Sequence, residues 1–374
     1  MEKTAIVIGA GIVGLAITRS LAEKGYKVSV FERHDKATGA SVRNFGMVWP
    51  IGQPSGHLYE RALRSKSIWK KVCDDAGLWY NEVGSLHLAY TDLEWQILNE
   101  LQSAFEKDRK TALLSPADTQ KKSAAVNPIN LKGALWSEEE TIVESRVAIE
   151  KIPQYLSEKY NVEFHSGIAI TAVSYPKVYS GNKSWQADEI YVCGGADFET
   201  LYPEVFAQNY FTKCKLQMMR IEAQPDGKRI GPSLCGGLSL NHYKSFEAAP
   251  SLSQLKTYYQ INYPDYIRWG IHVMVSQNAE GELTVGDSHE YASVFDPFDK
   301  QFINRLILDY LRQFTVFDHY NIMQTWHGIY PKMTDNKTEF IHSPEQGVTI
   351  VNGLGGAGMT LSFGLAEEVV NALH

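Results

Sequence analysis

A glycine-rich turn close to the N-terminus constrains the fold of this chain more than any other feature. Residues 4–8 read TAIVI, an apolar and β-prone run, and residues 9–14 read GAGIVG. Residues 15–25 continue with apolar residues at helical spacing and end in a glycine suited to a helix C-terminus. Residues 27–32 read KVSVFE and form a second predicted strand. A GxGxxG sequence between a strand and a helix indicates a dinucleotide-binding βαβ unit.

Each glycine of this turn has its own geometric task. Gly9 permits the tight turn, Gly11 lets the backbone approach a pyrophosphate, and Gly14 lets the helix pack closely against the strand. The helix N-terminus offers free N–H groups and the positive end of its dipole to the phosphates. Glu32 closes the second strand, where its carboxylate can accept hydrogen bonds from both ribose hydroxyls of an adenosine.

A second glycine-rich turn lies near the C-terminus. Residues 347–352 read GVTIVN, a predicted strand, and residues 353–358 read GLGGAG before a predicted helix that Thr360 can cap. One βαβ unit suffices for a nicotinamide cofactor, whereas a second helix N-terminus suits a larger cofactor with a second polar end. A flavin fits, because its reduced form carries negative charge that a helix N-terminus stabilises.

The dinucleotide elements are separated along the chain. Residues 189–196 read EIYVCGGA, a predicted strand that ends in Gly194 and Gly195, so the backbone again approaches something closely. Between these elements, runs such as residues 268–275 read as strands of a second sheet. We therefore predict a discontinuous cofactor-binding domain over residues 1–80, 145–215 and 325–374, with an inserted substrate-binding domain over residues 81–144 and 216–324.

Composition narrows the class of protein. A length of 374 residues predicts two domains, and a net charge of −7 without a basic stripe argues against binding nucleic acid or an anionic membrane. No apolar run reaches membrane length, and the first strand begins too early for a signal peptide, so we expect a cytoplasmic protein without membrane insertion. The four cysteines stand far apart and no metal-ligand cluster is visible, which predicts no metal site.

Four segments carry a resemblance to a known family: residues 6–14 (IVIGAGIVG), 41–46 (SVRNFG), 192–196 (VCGGA) and 355–362 (GGAGMTLS). Together they resemble the FAD-dependent D-amino-acid oxidase (DAO) family, above all its glycine oxidase and sarcosine oxidase branch. The resemblance implies an α/β fold with a Rossmann-like FAD-binding domain of GR2 type and an inserted α+β domain on a mixed or antiparallel sheet. Family members oxidise an amine carbon–nitrogen bond by hydride transfer to flavin N5, and the resulting imine hydrolyses.

The resemblance also implies which residues hold the cofactor. Those around the adenosine diphosphate are Gly9, Gly11, Gly14 and Glu32. Those along the ribityl and pyrophosphate path are Arg33, Ser41, Arg43 and Asn44, and those facing the isoalloxazine are Gly356, Gly358, Met359 and Thr360. The predicted cofactor-binding set is completed by Ile12, Val13, Gly46, Gly194, Gly195, Gly328 and Gly355.

Two positions depart from the family pattern. The family often reads Gly-Leu-Arg-Pro before the last strand, and that arginine pairs with the substrate carboxylate. Residues 328–331 here read GIYP, so Tyr330 stands in the arginine's place, and a phenol offers no bidentate ion pair. Sarcosine oxidases bind flavin covalently through a cysteine in this neighbourhood, where Gly328 stands here, so we predict noncovalent FAD.

These departures direct the substrate hypothesis away from an ordinary amino acid. Residues 40–50 (ASVRNFGMVWP) are similar to a subgroup of aminophosphonate oxidoreductases, and a phosphonate needs several donors around a compact dianion. Candidate donors are His242, Tyr243, Lys244, Arg268, His272 and Tyr330. From these we predict Tyr330, His242 and Arg268 as catalytic residues. No general base is evident, and hydride transfer from a neutral amine requires none.

The predicted function is therefore FAD-dependent oxidation of a small amine with an anionic end. An aminophosphonate such as 2-aminoethylphosphonate is the leading substrate class, and glycine, sarcosine or a D-amino acid is the alternative. Oxygen or a respiratory acceptor would receive the electrons. A nicotinamide dehydrogenase and a flavin-binding subunit without turnover are the competing interpretations.

Overall fold

Two large β-sheets organise the chain, and a computed structural model describes residues 3–372 of it. The helices are α1 (Ile12–Glu23), α2 (His57–Ala76), α3 (Asp92–Phe105), α4 (Pro116–Lys122), α5 (Ser145–Tyr160), α6 (Pro203–Gln208), α7 (Leu252–Asn262), α8 (Pro264–Arg268), α9 (Gln301–Phe314) and α10 (Gly358–Ala372).

The strands run in chain order from β1 to β21. They are β1 (Thr4–Ile8), β2 (Lys27–Glu32), β3 (Met47–Val48), β4 (Tyr80–Asn81), β5 (Ser85–Ala89), β6 (Thr111–Leu114), β7 (Gly133–Ser137), β8 (Thr141–Val143), β9 (Glu163–Ser166), β10 (Ala172–Ser174), β11 (Lys177–Ser180), β12 (Lys183–Gln186), β13 (Glu189–Val192), β14 (Phe211–Ile221), β15 (Ser233–Cys235), β16 (Met274–Gln277), β17 (Leu283–Gly286), β18 (Glu290–Ala292), β19 (Ile322–Met333), β20 (Phe340–His342) and β21 (Val348–Asn352).

The first sheet has six strands in the order β20-β21-β13-β1-β2-β9. Every pairing in it is parallel except that of β20 with β21. Because parallel strands end at the same edge, the residues after β1, β13 and β21 meet there, together with Glu32 at the end of β2. This carboxyl edge is the place where α/β sheets bind their ligands.

Helices cover one face of this sheet. Helix α1 buries Leu15, Ile17 and Leu21 completely, and Gly25, at φ +83°, follows its end. A Cβ at Gly14 would overlap the carbonyl oxygen of Gly9, so only glycine allows the helix this close to the turn. The opposite face packs on the antiparallel strands β10 to β12 and on α6.

Helix α10 is anchored between α1 and α2. The indole Nε1 of Trp69, on α2, donates to the carbonyl oxygen of Met359 at 2.7 Å, and its ring meets that of Phe363 edge-on at 5.0 Å. The amide of Gly364 donates to the hydroxyl of Ser65 at 2.8 Å. These contacts hold the N-terminus of α10 at the carboxyl edge of the sheet.

The second sheet is mixed, with β18-β14-β17-β16-β15-β5-β7-β6 in order and β19 paired along β14. All of its pairings are antiparallel except β15 with β5. Its core joins apolar residues of α3, α7 and α9 to the strands. The predicted domain boundaries remain a proposal, since strands of the two sheets alternate along the chain.

The strand expected over residues 268–275 is wrong except at residues 274 and 275. Pro264 occupies the first turn of α8, which ends at Arg268, and Gly270 at φ +55° turns the chain before β16 begins at Met274. A proline-initiated helix overrides the apolar alternation that suggested a strand.

Within residues 3–372, none of the helices is both long enough and apolar enough to cross a lipid bilayer.

Truncating Trp69 tests the anchor of α10. We expect Trp69→Ala to lower the free energy of unfolding by about 3–5 kcal/mol, because it leaves a large cavity and removes a buried hydrogen bond. Trp69→Phe, which removes mainly the hydrogen bond, should lose about 1–2 kcal/mol. Denaturant unfolding measures both. Ile129→Ala, at a side chain 69% exposed, is the control, and equal losses in all three variants would contradict the anchoring role.

Candidate cofactor and substrate site

Two adjoining cavities lie at the carboxyl edge of the six-stranded sheet. The glycine cavity, of about 310 Å³, has Gly9, Glu32 and Gly194 in its wall. The histidine cavity, of about 300 Å³, has residues 353–361 and His242 in its wall. The residues common to both walls are Ile12, Ala40, Ser41, Tyr330, Gly353, Leu354, Gly355 and Gly358. The shared wall makes the cavities two parts of one cleft.

The N-terminus of α1 opens into the glycine cavity. Gly9 has φ +102° and donates its N–H to the carbonyl oxygen of Phe31 at 2.8 Å, which fixes the turn after β1. The amide of Ile12 donates to the hydroxyl of Ser41 at 2.9 Å. The loop that carries Ser41 therefore lies directly over the helix N-terminus, where an anion would be stabilised.

Glu32 lies in the wall of the glycine cavity and accepts two backbone hydrogen bonds there. Its two carboxylate oxygens accept the amide N–H of Ala10 at 3.0 Å and of His34 at 3.1 Å. Arg33 forms an ion pair with Asp197, which follows the Gly194–Gly195 turn after β13. The Glu32 carboxylate thus ties the first glycine turn to the end of β2.

The second glycine turn lies opposite the first. Gly353 at φ +79° and Gly355 at φ +59° lead into a short 3₁₀ turn, and α10 begins at Gly358. The expectation that Thr360 caps this helix is wrong. Thr360 lies inside the first turn, and its hydroxyl accepts the amide N–H of Trp49 at 3.0 Å.

The loop between β2 and β3 is built around Asn44. Its side-chain amide donates to the carbonyl oxygens of Ala40 at 3.0 Å and Ser41 at 2.8 Å, and its oxygen accepts the Gly46 amide at 2.8 Å. Arg43 donates to the carbonyl oxygen of His327 at 3.0 Å, which joins this loop to β19. The loop therefore spans both cavities in a defined conformation.

Strand β19 presents three residues in alternation to the histidine cavity, namely Gly328, Tyr330 and Lys332. Tyr330 is 7% exposed, and burial raises the pKa of its phenol well above the ordinary value, so its proton stays on the oxygen. Lys332 donates to the hydroxyl of Tyr291 at 3.1 Å.

Three histidines and a carboxyl group form the distal wall. His272 and Asp287 exchange backbone hydrogen bonds of 3.2 and 2.8 Å, which places His272 Nε2 3.0 Å from the Asp287 carboxylate. The rings of His272 and His289 stack at 5.1 Å, and His242 lies 3.8 Å from His272 by ring centroids. Burial raises the pKa of the Asp287 carboxyl well above its usual range.

Most of the predicted site residues line this cleft. Those on the wall of the glycine cavity are Gly9, Gly11, Ile12, Val13, Glu32, Arg33, Ser41, Gly194, Gly195, Tyr330, Gly355 and Gly358. Those on the wall of the histidine cavity alone are Arg43, Asn44, His242, Gly328, Gly356, Met359 and Thr360. Their assignment to cofactor or substrate stays a prediction.

Three predicted residues lie elsewhere. Gly14 sits behind the first turn, and a Cβ at Gly46 would overlap the carbonyl oxygen of Val143, so both act through packing. Arg268 ends α8 with an exposed side chain 5.4 Å from the Trp269 ring, outside both cavity walls. This placement does not support a catalytic role for Arg268.

Asp287, His289, Lys332 and Lys337 line the histidine cavity but were not among the candidates. The signal available in the sequence was the run GDSH over residues 286–289, polar residues directly after a β-rich segment. Loops that follow strands often carry functional residues, so this run merited attention beside His272.

Comparison with known proteins gives a family match over nearly the whole chain. The family described as "DAO: FAD dependent oxidoreductase" matches residues 4–372. A tRNA 5-methylaminomethyl-2-thiouridine biosynthesis bifunctional protein MnmC from Pseudomonas savastanoi pv. phaseolicola is 30% identical over 130 residues, which are 34% of this chain and 20% of that protein. A D-amino acid dehydrogenase from Helicobacter pylori is 46% identical over 48 residues, which are 13% of this chain and 12% of that protein. The chain thus spans a fifth or less of these relatives.

Solved structures share the fold over full length. Glycine oxidase from Geobacillus kaustophilus has a TM-score of 0.77 at 16% identity, with 99% of this chain and 94% of that chain covered. An L-alpha-glycerophosphate oxidase from Mycoplasma pneumoniae with FAD bound has a TM-score of 0.77 at 16% identity, with 100% and 95% covered. The predicted α/β fold class is confirmed.

The role of Glu32 can be measured directly. We expect Glu32→Ala to weaken FAD binding about tenfold or more. The Glu32 carboxylate holds the glycine turn through two hydrogen bonds and would also accept hydrogen bonds from the ribose, and a charged hydrogen bond contributes about 1.5–3 kcal/mol. Fluorescence titration of the apoprotein with FAD measures the Kd. The matched control is Glu163→Ala, on the neighbouring strand β9, where the carboxylate pairs with Lys27 at the surface. Equal affinities of the two variants would contradict the assignment.

Proposed function

The chain belongs to the DAO family of FAD-dependent oxidoreductases, and on this premise we propose that it oxidises the carbon–nitrogen bond of a small amine with an anionic end. The proposed substrate class is an aminophosphonate such as 2-aminoethylphosphonate or a derivative. The product would be an imine, which water hydrolyses. Glycine, sarcosine or a D-amino acid is the alternative, favoured by the fold shared with glycine oxidase.

The cleft suits the cofactor of the family. Two helix N-termini, those of the neighbouring helices α1 and α10, reach one cleft, and backbone glycines form both turns. The residues proposed to hold FAD are those of the two glycine turns, Glu32 and the loop around Asn44. When bound, FAD supplies a two-electron acceptor that takes a hydride from the carbon beside the amine nitrogen.

The observation that carries the substrate proposal is the charge of the histidine cavity. Arg43, Lys244, Lys332 and Lys337 line it, and among residues 3–372 Asp287 is the one acidic residue on the same cavity wall. Burial drives that carboxyl towards its neutral form. A wall with more positive than negative side chains attracts an anion, and lysines bind the oxygens of a phosphonate as point charges.

The partners of these cations leave their charge available. Arg43 donates to the His327 carbonyl and Lys244 to the Asn336 carbonyl at 3.3 Å, while Lys332 donates to a phenol. Lys337 is the exception, because it pairs with Asp335 at 2.9 Å. Three positive groups with neutral partners therefore face the cavity.

Tyr330 argues against a substrate held only by a carboxylate. It stands where the family pattern has an arginine, and its buried phenol keeps its proton and donates a single hydrogen bond. A bidentate pair with a carboxylate is therefore unavailable at this position. The phosphonate proposal therefore rests on two features of this site. Tyr330 stands in place of the family's arginine, and several lysines at other positions line the cavity.

The apolar part of the wall positions the reacting carbon. Phe45, Trp49, Met218 and Met274 line the cavity beside the polar groups, and they exclude water from the carbon–nitrogen bond. The chain's task is to bind the amine as the free base, orient its α-hydrogen and keep the site dry. Electrons would then pass to oxygen or a respiratory acceptor.

Two further properties are part of the proposal. Among residues 3–372, Cys193 is the one cysteine that lines either cavity. Burial raises the pKa of its thiol to about 12, so the thiol stays protonated and a poor nucleophile, which supports noncovalent FAD. All four cysteines are buried and free, which supports a reducing, cytoplasmic environment.

An anaerobic bleaching screen tests the substrate class. We expect 2-aminoethylphosphonate or its N-methyl or hydroxy derivative to reduce the bound flavin faster than glycine, sarcosine or D-alanine does, because the wall offers several separate cations. Loss of the flavin absorption band measures the reduction. If only the carboxylates bleach the flavin, the alternative is correct, and if no amine does, the proposed activity fails.

Removing one lysine tests the charge argument. We expect Lys332→Gln to raise the KM for the reducing amine about tenfold, since a charged hydrogen bond contributes about 1.5–3 kcal/mol. Stopped-flow reduction at varied amine concentration separates KM from the limiting rate. Lys183→Gln, on the exposed strand β12, is the control. An unchanged KM in Lys332→Gln would show that the anionic end binds elsewhere.

A further inference from the structure

Three histidines from distant parts of the chain bring their nitrogens together on the wall of the histidine cavity. The potential ligand atoms of His242, His272 and His289 all lie within 4.8 Å of one another. His242 directly follows a 3₁₀ turn, His272 precedes β16 and His289 precedes β18. His242 and His272 are candidate donors to the anionic end of the substrate, but that role does not require three ring nitrogens to converge, so the cluster calls for a further explanation.

The surroundings orient the lone pairs of two rings. His289 Nδ1 lies 3.0 Å from the carbonyl oxygen of Gly270, which can only accept, so Nδ1 carries the proton and Nε2 is left with a lone pair. His272 Nε2 lies 3.0 Å from the Asp287 carboxylate. A backbone carbonyl and a carboxylate behind the ring are the usual partners of histidines that bind metal ions.

Unsatisfied polar atoms mark the cluster as incomplete. His272 is 4% exposed, and both of its ring nitrogens lack a hydrogen bond of good geometry, as does Oδ1 of Asp287. Buried polar groups without partners are rare because each loses its hydration without compensation. A ligand that accepts electron pairs from the nitrogens would remove this penalty.

The hydrogen-bond partner of His289 favours a cation over an anion. The carbonyl oxygen of Gly270 holds the proton on Nδ1 of His289, so Nε2 presents a lone pair. Metal ions require such lone pairs, whereas an anion would need an N–H donor at this position.

From this geometry we propose that His242, His272 and His289 form a binding site for one divalent transition-metal ion of the zinc type. Asp287 lies 3.0 Å from His272 Nε2 and would orient that ring once the metal ion is bound, and the remaining coordination positions face the histidine cavity. This site departs from the expectation of no metal drawn from the sequence. It is independent of the proposed amine oxidation.

The distances are compatible with such an ion. Zinc–nitrogen bonds of about 2.1 Å at tetrahedral angles place the nitrogens about 3.4 Å apart, so the cluster needs to contract by about an ångström. His242 is the ring with freedom to move, since it has accessible surface while the other two are buried. Lys332 is a nearby positive group that opposes a cation, and it donates to the phenol oxygen of Tyr291 at 3.1 Å.

Metal binding can be measured on the holoenzyme without any substrate. Tag-free protein is analysed for zinc per FAD, then treated with a chelator and titrated with Co²⁺. We expect one Co²⁺ per chain, with visible absorption bands at longer wavelength than the flavin. We expect His272→Gln and His289→Gln to weaken Co²⁺ binding at least tenfold, and Asp287→Asn to weaken it about 10–100-fold.

The control variant is His57→Gln, at an exposed side chain on α2, and it should bind Co²⁺ as the wild type does. Retained FAD absorption reports that each variant has folded. A wild-type holoenzyme that contains no zinc and binds no Co²⁺ would overturn the proposal, even if every variant failed to fold. Binding that is equal in the wild type and in both histidine variants would also overturn it. Failure of the amine screen leaves these readouts unaffected, so the two proposals fail separately.

Discussion

The parallel pairing of β1 with β2 and β13 is the constraint on which the site depends. Because these strands end at one edge, the chain must turn there three times within a small space. Gly9 makes the tightest of these turns, and the carbonyl of Gly9 leaves no room for a side chain at Gly14. The close approach of α1 to the turn places a helix N-terminus at the cleft, and β21 brings α10 to the same edge.

The cleft is completed by a strand of the other sheet. Strand β19 pairs along the length of β14 and also bridges from Lys332 to Leu354 in the second glycine turn. The same strand therefore supports the larger sheet and forms a wall of the cofactor cleft. This arrangement explains why Tyr330 lies in both cavity walls, and why the loop held by Asn44 can reach β19 through Arg43.

Charge divides the cleft into regions of different chemistry. At the glycine cavity, Arg33 is paired with Asp197, so in the proposed cofactor site the helix N-terminus and backbone amides would meet the phosphates. At the histidine cavity, Arg43, Lys244 and Lys332 have neutral partners, while burial keeps the imidazoles neutral. The cations with neutral partners suit the anionic end of the proposed substrate, and the neutral imidazoles suit the proposed binding of a metal ion through their lone pairs. The two sets share one wall but differ in protonation.

The sequence by itself determined the dinucleotide unit, the second glycine turn and the fold class, because those features depend on residues adjacent in the chain. It misplaced Arg268, since a proline-initiated helix carries that side chain away from the cleft, and it overlooked Lys332 and His289. Only the tertiary structure decided the histidine cluster and the cation-rich wall. His242, His272 and His289 lie on three separate segments, and antiparallel pairing that no local pattern encodes brings His272 against Asp287. Local spacing specifies turns and helix ends, whereas burial and charge balance arise only when distant segments share one cavity.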